Sequence, residues 1–174
     1  MKKGNNKLQI VVVGRERVGK LHLVNCIFNQ KDSEITNSLV SNPESNKNPL
    51  IILPNDLPAV IQIIVLDNKI GLEANDYFWT NNEISNADFV IVVLDAREEL
   101  YKIETELISS LQLSRVPFLI AVNKIEYGTN PHLISELDAL EVTYFELSCK
   151  ENAGIEGFRK TLIHMLPDEN RSSN

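Results

Sequence analysis

The sequence predicts an α/β fold, a mainly parallel six-stranded sheet with helices on both faces. Three observations predict it. Apolar runs rich in β-branched residues, at 8–13 (broken only by Gln9), 89–94 and 116–122, read as strands covered on both faces. Segments of helical spacing separate them, as at Leu100, Ile103, Leu107, Ile108 and Leu111. The first strand runs directly into a glycine-bearing loop and then a helix, the connection that aims a parallel sheet's carboxyl ends at a ligand.

The first run, 8–13, ends at Gly14-Arg15-Glu16-Arg17-Val18-Gly19-Lys20-Leu21. Gly-x-x-x-x-Gly-Lys between a strand and a helix is the phosphate-binding loop, in which glycines let backbone N–H groups converge on a phosphate chain. Lys20 reaches the outer phosphates, and the helix opening at Lys20 adds partial positive charge. The motif asks for Ser or Thr after the lysine, as a magnesium ligand. Here that position is Leu21.

The helix from 20 to 28 sets Leu21, Val24, Asn25 and Phe28 around its circumference. Residues 30–49 are polar, broken by Pro43 and Pro49, and read as a long surface segment. Runs at 49–53 and 59–66, joined by the turn cluster 54–58, predict a hairpin whose second strand ends at Asp67. Residues 68–85 read as irregular, with a short helix around 73–79. Further on come a strand at 89–94, a helix at 98–113, a strand at 116–122, a helix from Pro131 to Leu140 and a strand at 142–147. A closing helix at 155–166 is stopped by Pro167. One domain over 8–167 is expected, between an N-terminal tail, 1–7, and a disordered polar tail, 168–174.

A chain of 174 residues with net charge −7 does not offer the clustered Lys and Arg of a nucleic-acid-binding face. Its longest apolar run is far too short to span a bilayer. No targeting segment is read at the N-terminus, and Cys26 and Cys149 read as reduced thiols, so a cytoplasmic location is expected. His22, His132 and His164 show no metal-ligand spacing. Glu98, Glu99, Glu104 and Glu106 read as the solvated face of a helix. Trp79, with Tyr77 and Phe78, reads as packing that pins a loop, with a partner-binding patch as the alternative.

Two further motifs follow strands. Asn123-Lys124-Ile125-Glu126 is similar to the Asn-Lys-x-Asp guanine-recognition motif of GTP-binding proteins. Ser148-Cys149-Lys150 is similar to their Ser-Ala-Lys segment. With Leu23-Val24-Asn25 after the loop and Asp95-Ala96-Arg97-Glu98 after the run 89–94, the chain resembles a P-loop GTPase domain of the TrmE–Era group from about residue 8 to 167. Leu53-Pro54, Val116-Pro117-Phe118 and Leu166-Pro167 resemble, more closely, the GTPase domain of the iron-only hydrogenase maturation protein HydF.

The resemblance implies a P-loop NTPase fold of small-GTPase type that takes GTP or GDP. Gly14, Arg17, Val18, Gly19, Lys20 and Leu21 would line the phosphates. Asn123, Lys124 and Glu126 would read the base, Glu126 reaching one methylene further than the usual Asp. Ser148, Cys149 and Lys150 would close over it. It also exposes departures. Leu21 replaces the magnesium hydroxyl, and Asn46 stands at the second magnesium-linked Thr. Asp67-Asn68-Lys69-Ile70-Gly71 replaces Asp-Thr-Pro-Gly, leaving Asp67 as a weak magnesium ligand. Arg17 stands at an Asn that helps hold potassium, where a guanidinium would substitute for the ion. Phosphoryl transfer depends on positioning and charge neutralisation, so very slow or absent hydrolysis is expected. The alternative is a pseudo-GTPase that binds no nucleotide and engages a protein partner.

Overall fold

The computed structural model describes residues 7–28, 50–51, 60–68 and 82–166. At its centre lies β1 (Lys7–Arg15). It pairs in parallel with β3 (Val60–Asn68) on one side and β4 (Phe89–Asp95) on the other. Beyond β4 come β5 (Phe118–Asn123) and β6 (Tyr144–Leu147), both parallel. The short β2 (Leu50–Ile51) closes the far edge antiparallel to β3, as the hairpin reading expected. The sheet order is β2-β3-β1-β4-β5-β6, so the expected six-stranded, mainly parallel sheet is present.

The alternation of β1 shows why residues 10–13 are all apolar. Ile10 and Val12 join one core layer with Leu23, Val24 and Ile27 of α1 (Lys20–Phe28). The same layer takes Ile155, Phe158 and Leu162 of α5 (Ile155–Met165). Val11 and Val13 join the opposite layer, with Leu107, Ile108 and Leu111 of α3 (Lys102–Ser114) and Leu133 and Leu137 of α4 (Pro131–Ala139). A strand buried on both faces needs hydrocarbon at every position, and β4 is likewise buried throughout.

Several boundaries shift. α2 (Asn82–Ser85) is a single helical turn within the stretch read as irregular. The short helix expected around 73–79, the switch segment 43–49 and Trp79 lie outside the described residues. β3 continues through Asn68, one residue past Asp67. α3 starts at Lys102 rather than 98, because Tyr101 takes the N-cap place in extended backbone, with Glu104 as its capping-box partner. α5 ends at Met165 rather than 166, because Leu166 takes the C-cap place in extended backbone, as a residue preceding proline prefers.

Candidate functional site

The sheet's strand order reverses between β1 and β4, and the carboxyl ends of β1, β4 and β5 converge there. Gly14 is the first fixed point. A Cβ at this position would collide with the Val93 carbonyl of β4, so only glycine lets the loop leave β1 this close to its neighbour. On the other side Gly14 lies in register with Asp67 of β3. The Asp67 backbone is thus placed beside the loop; its side chain lies outside what is described.

The loop then turns through Arg17 at φ 64° and Gly19 at φ 95° before α1 begins. Lys20 is buried, and its Nζ donates to the carbonyl oxygens of Gly14 at 2.8 Å and Arg15 at 2.5 Å. Leu21 is 46% exposed, an apolar side chain lining a cleft of about 210 Å³ with Arg17, Gly19, Lys20, His22 and Val65. This is the phosphate side of the site. A hydroxyl here would be a magnesium donor; a leucine is not. Among the described residues, no group of three or more His, Cys, Asp or Glu is placed to hold a metal.

Asn123 connects the loop to the other two motifs. It is buried at the end of β5; its Nδ2 donates to the Val18 carbonyl at 3.0 Å. Its Oδ1 accepts from the Cys149 N–H at 3.2 Å. One amide side chain therefore satisfies a backbone acceptor of the phosphate loop and a backbone donor of the segment after β6. Lys124, at φ 74°, sends its Nζ to the Arg17 carbonyl at 2.5 Å and to Asp95 Oδ2 at 2.8 Å. The three motifs meet around a second cleft of about 240 Å³, lined by Gly19, His22, Asn123, Lys124, Glu126, Tyr127, Cys149 and Lys150.

Glu126 follows in a single 3₁₀ turn, Ile125–Tyr127. Its Oε2 is buried without a hydrogen-bond partner among the described residues. Desolvation raises its pKa, but the Ser148 hydroxyl, its own backbone N–H and the charges of Lys150 and Lys124 prevail, so the carboxyl sits below its ordinary range. Glu126 thus places an ionised carboxyl on the cleft wall, with one oxygen lacking a hydrogen-bond partner among the described residues. Ser148 is fully buried, with Oγ accepting from the Glu151 N–H, which braces the turn. Burial pushes the Cys149 thiol well up. Cys26 Sγ lies 3.6 Å from the Cys149 carbonyl, so the two cysteines are neighbours. Lys150 caps the cleft rim, its Nζ 3.1 Å from the Tyr127 hydroxyl and 4.9 Å from its ring centroid.

All the predicted loop, base and closing residues are therefore brought to one end of the sheet. Sequence reasoning missed four others. Asp95 ends β4 and accepts from Arg97 Nε at 2.9 Å and Nη2 at 2.8 Å, besides Lys124. Tyr127 and His22 line the second cleft. Arg15 is buried and pairs with Glu104 at 2.8 Å and with Glu98, under the Tyr101 ring at 4.0 Å. The solvated-face reading of Glu104 is corrected by this. Glu104 is 2% exposed, because Arg15 needs a counter-charge where β1 passes under α3. Its neighbours Glu98 and Glu99 precede the helix. The missed signal was Glu104 three residues after Tyr101, a capping-box spacing with an unusual N-cap residue.

Burial raises the Asp95 carboxyl, but hydrogen bonds from Arg97 and Lys124 outweigh it and hold the group far below its ordinary value of 3.8. A depressed folded value means stability that is complete above that ordinary value and lost as the pH falls below it. Acid unfolding followed by circular dichroism should therefore be shallower between pH 5 and about 2 in Asp95→Asn than in the parent. Equal slopes would mean that Asp95 does not carry the acid sensitivity.

A model of the family described as 50S ribosome-binding GTPase matches residues 9–124. The chain is 25% identical over 160 residues to GTPase Der of Campylobacter fetus, covering 91% of this chain and 34% of that protein. It is 24% identical over 166 residues to GTPase Era of Acidimicrobium ferrooxidans, covering 91% of this chain and 56% of that one. The chain thus spans about a third to a half of the length of these relatives. Among solved structures, the FeoB G-domain from Methanococcus jannaschii superposes with a TM-score of 0.62 at 20% identity, covering 94% of this chain and 99% of that one. That likeness concerns the fold.

Proposed function

The chain belongs to the 50S ribosome-binding GTPase family, and on that premise we propose that it is a guanine-nucleotide-binding domain whose phosphate side has lost its magnesium chemistry. The observation that carries the reading is Asn123. It joins Val18 of the phosphate loop to Cys149 of the closing segment, and beside it Glu126 keeps an unpartnered oxygen in the cleft all three segments share. A protein with no use for a base would have no reason to leave that carboxylate oxygen buried and unsatisfied.

GDP or GTP sets its guanine between Lys124 and Lys150, with Glu126 accepting from N1–H and N2–H. Its phosphates lie over the loop backbone, and Lys20 exchanges the carbonyls of Gly14 and Arg15 for phosphate oxygens. Leu21 supplies no ligand, so metal adds little to affinity and hydrolysis is very slow or absent. Arg17, exposed at the mouth of the phosphate cleft, offers a fixed cation there. The closer likeness to the HydF domain, a cytoplasmic location and a protein partner belong to the same proposal. Charge −7 supports no nucleic-acid role, and no helix among the described residues is long and apolar enough to cross a membrane.

Calorimetric titration with GDP, GTP and ATP, each with magnesium and with chelator, tests it. Guanine-selective binding that ignores magnesium is expected. Glu126→Gln replaces an acceptor with a donor and should cost GDP roughly a hundred-fold, since each charged hydrogen bond lost is worth about 1.5–3 kcal/mol. Magnesium-dependent binding would return an active GTPase. No binding by the folded chain would leave the alternative of a protein-interaction module.

A further inference from the structure

The two cysteines of the chain meet in the core layer that α1 shares with α5. Cys26 lies on α1, the helix that grows from the phosphate loop, and Cys149 on the segment that follows β6. They are 123 residues apart, yet the Cys26 thiol donates to the Cys149 carbonyl at 3.6 Å. The Cys149 thiol in turn has the Cys26 thiol as a hydrogen-bonding neighbour. Cys149 is 5% exposed, its N–H held by Asn123 Oδ1 at 3.2 Å. Cys26 is half-buried and packs against the edge of the same core. Neither sulfur takes part in the proposed nucleotide contacts.

We propose that Cys26 and Cys149 are a modification site, a dithiol that small-molecule disulfides convert to an intramolecular disulfide tying α1 to the segment after β6. The pairing is independent of whether a nucleotide binds. A folded core that holds two thiols in contact has already met the entropy of closing the long loop between them, so they oxidise as a pair. The half-buried Cys26 meets the oxidant first. Its thiolate attacks one sulfur of a small disulfide RSSR, forming a mixed disulfide on Cys26 and releasing RS⁻. Cys149 gives its proton to that RS⁻ and attacks Cys26 Sγ, which forms the Cys26–Cys149 bond and expels the second RS⁻. The second RS⁻ takes up the proton that Cys26 lost. RSSR is thus reduced to two RSH by the two electrons of the protein's dithiol. Burial, with the Cys26 sulfur beside it, pushes the Cys149 thiol well up, so it waits protonated and serves as the resolving group. Reducing surroundings keep the dithiol, and the reduced state read from the sequence is its resting form.

The test takes the folded chain, without nucleotide, through glutathione buffers from fully reduced to fully oxidised, quenches it by alkylation and reads its mass. The parent should pass from two alkylated thiols to none, as a monomer with no glutathione attached, and return on treatment with dithiothreitol. Cys26→Ser and Cys149→Ser, each checked for folding by circular dichroism, should keep one thiol or carry one glutathione. Amide exchange at Cys149 and Lys150 should slow about ten-fold or more on oxidation of the parent, and in neither variant. Two thiols persisting in oxidised glutathione, glutathione on both cysteines, or a bond formed only between chains or in urea overturns the pairing. Exchange that stays as fast once the bond has formed overturns the tie between α1 and the segment after β6. None of these results touches guanine-nucleotide binding, and failure of that binding would leave the thiol count unchanged.

Discussion

Gly19→Ala is expected to lower affinity for GDP at least a hundred-fold in calorimetric titration. Two physical terms act at this position. The backbone lies at φ 95°, which costs a side-chain-bearing residue roughly 1–2 kcal/mol. A Cβ would also stand 2.5 Å from Asn123 Nδ2, the donor to the Val18 carbonyl. Relieving that collision moves the amide that also holds the Cys149 N–H, so the phosphate loop and the closing segment lose their common anchor. Losing such buried hydrogen bonds costs about 1–3 kcal/mol each, and about 2.8 kcal/mol is a hundred-fold in affinity. Gly128→Ala separates the terms. Gly128 has nearly the same angle, φ 96°, but a Cβ there meets nothing within 4 Å. It should cost stability through strain and leave GDP affinity within a few-fold. Equal loss of affinity in both variants would remove Asn123 from the explanation.

Glu104→Ala should be the most destabilising single change outside the hydrocarbon core. It leaves the buried Arg15 guanidinium with only the partly exposed Glu98 and removes the acceptor of the Tyr101 N–H at 2.9 Å. Breaking one side of a buried ion pair costs about 3–5 kcal/mol. In a domain of this size that lowers Tm by roughly 6–15 °C in a thermal melt. Glu106→Ala, two residues on, breaks only an exposed pair with Lys102 and should stay within about 0.5 kcal/mol. A Glu104→Ala protein that melts with the parent would show that the pair is compensated by solvent.

The sheet was readable because its central strands are buried on both faces, which forces the unbroken apolar runs of residues 10–13 and 89–94. The contact residues at the end of the sheet were readable because each follows a strand and carries a side chain whose chemistry is specific. Asn123 needs an amide to bond Val18 and Cys149 at once, and Gly14 must lack a Cβ beside Val93. The Arg15–Glu104 pair was not readable. Its partners lie 89 residues apart, and Glu104 in a polar helical stretch looks solvated until the sheet brings Arg15 beneath it. His22 was passed over for a similar reason. Histidine spacing speaks to metals, and its place between two clefts exists only once three segments have converged.

The two halves of the cleft rest on ground of unequal depth. The phosphate loop grows from β1, whose neighbours on both sides are themselves inner strands. The segment carrying Ser148, Cys149 and Lys150 grows from β6, the sheet's outer strand, four residues long with Glu146 open to solvent. Amide exchange in β1 requires the whole domain to open, whereas β6 can fray by itself. The β6 side is therefore where transient openings of the folded chain will begin, and Asn123, bonded to Val18 and to Cys149, is the clasp that sets how often they do.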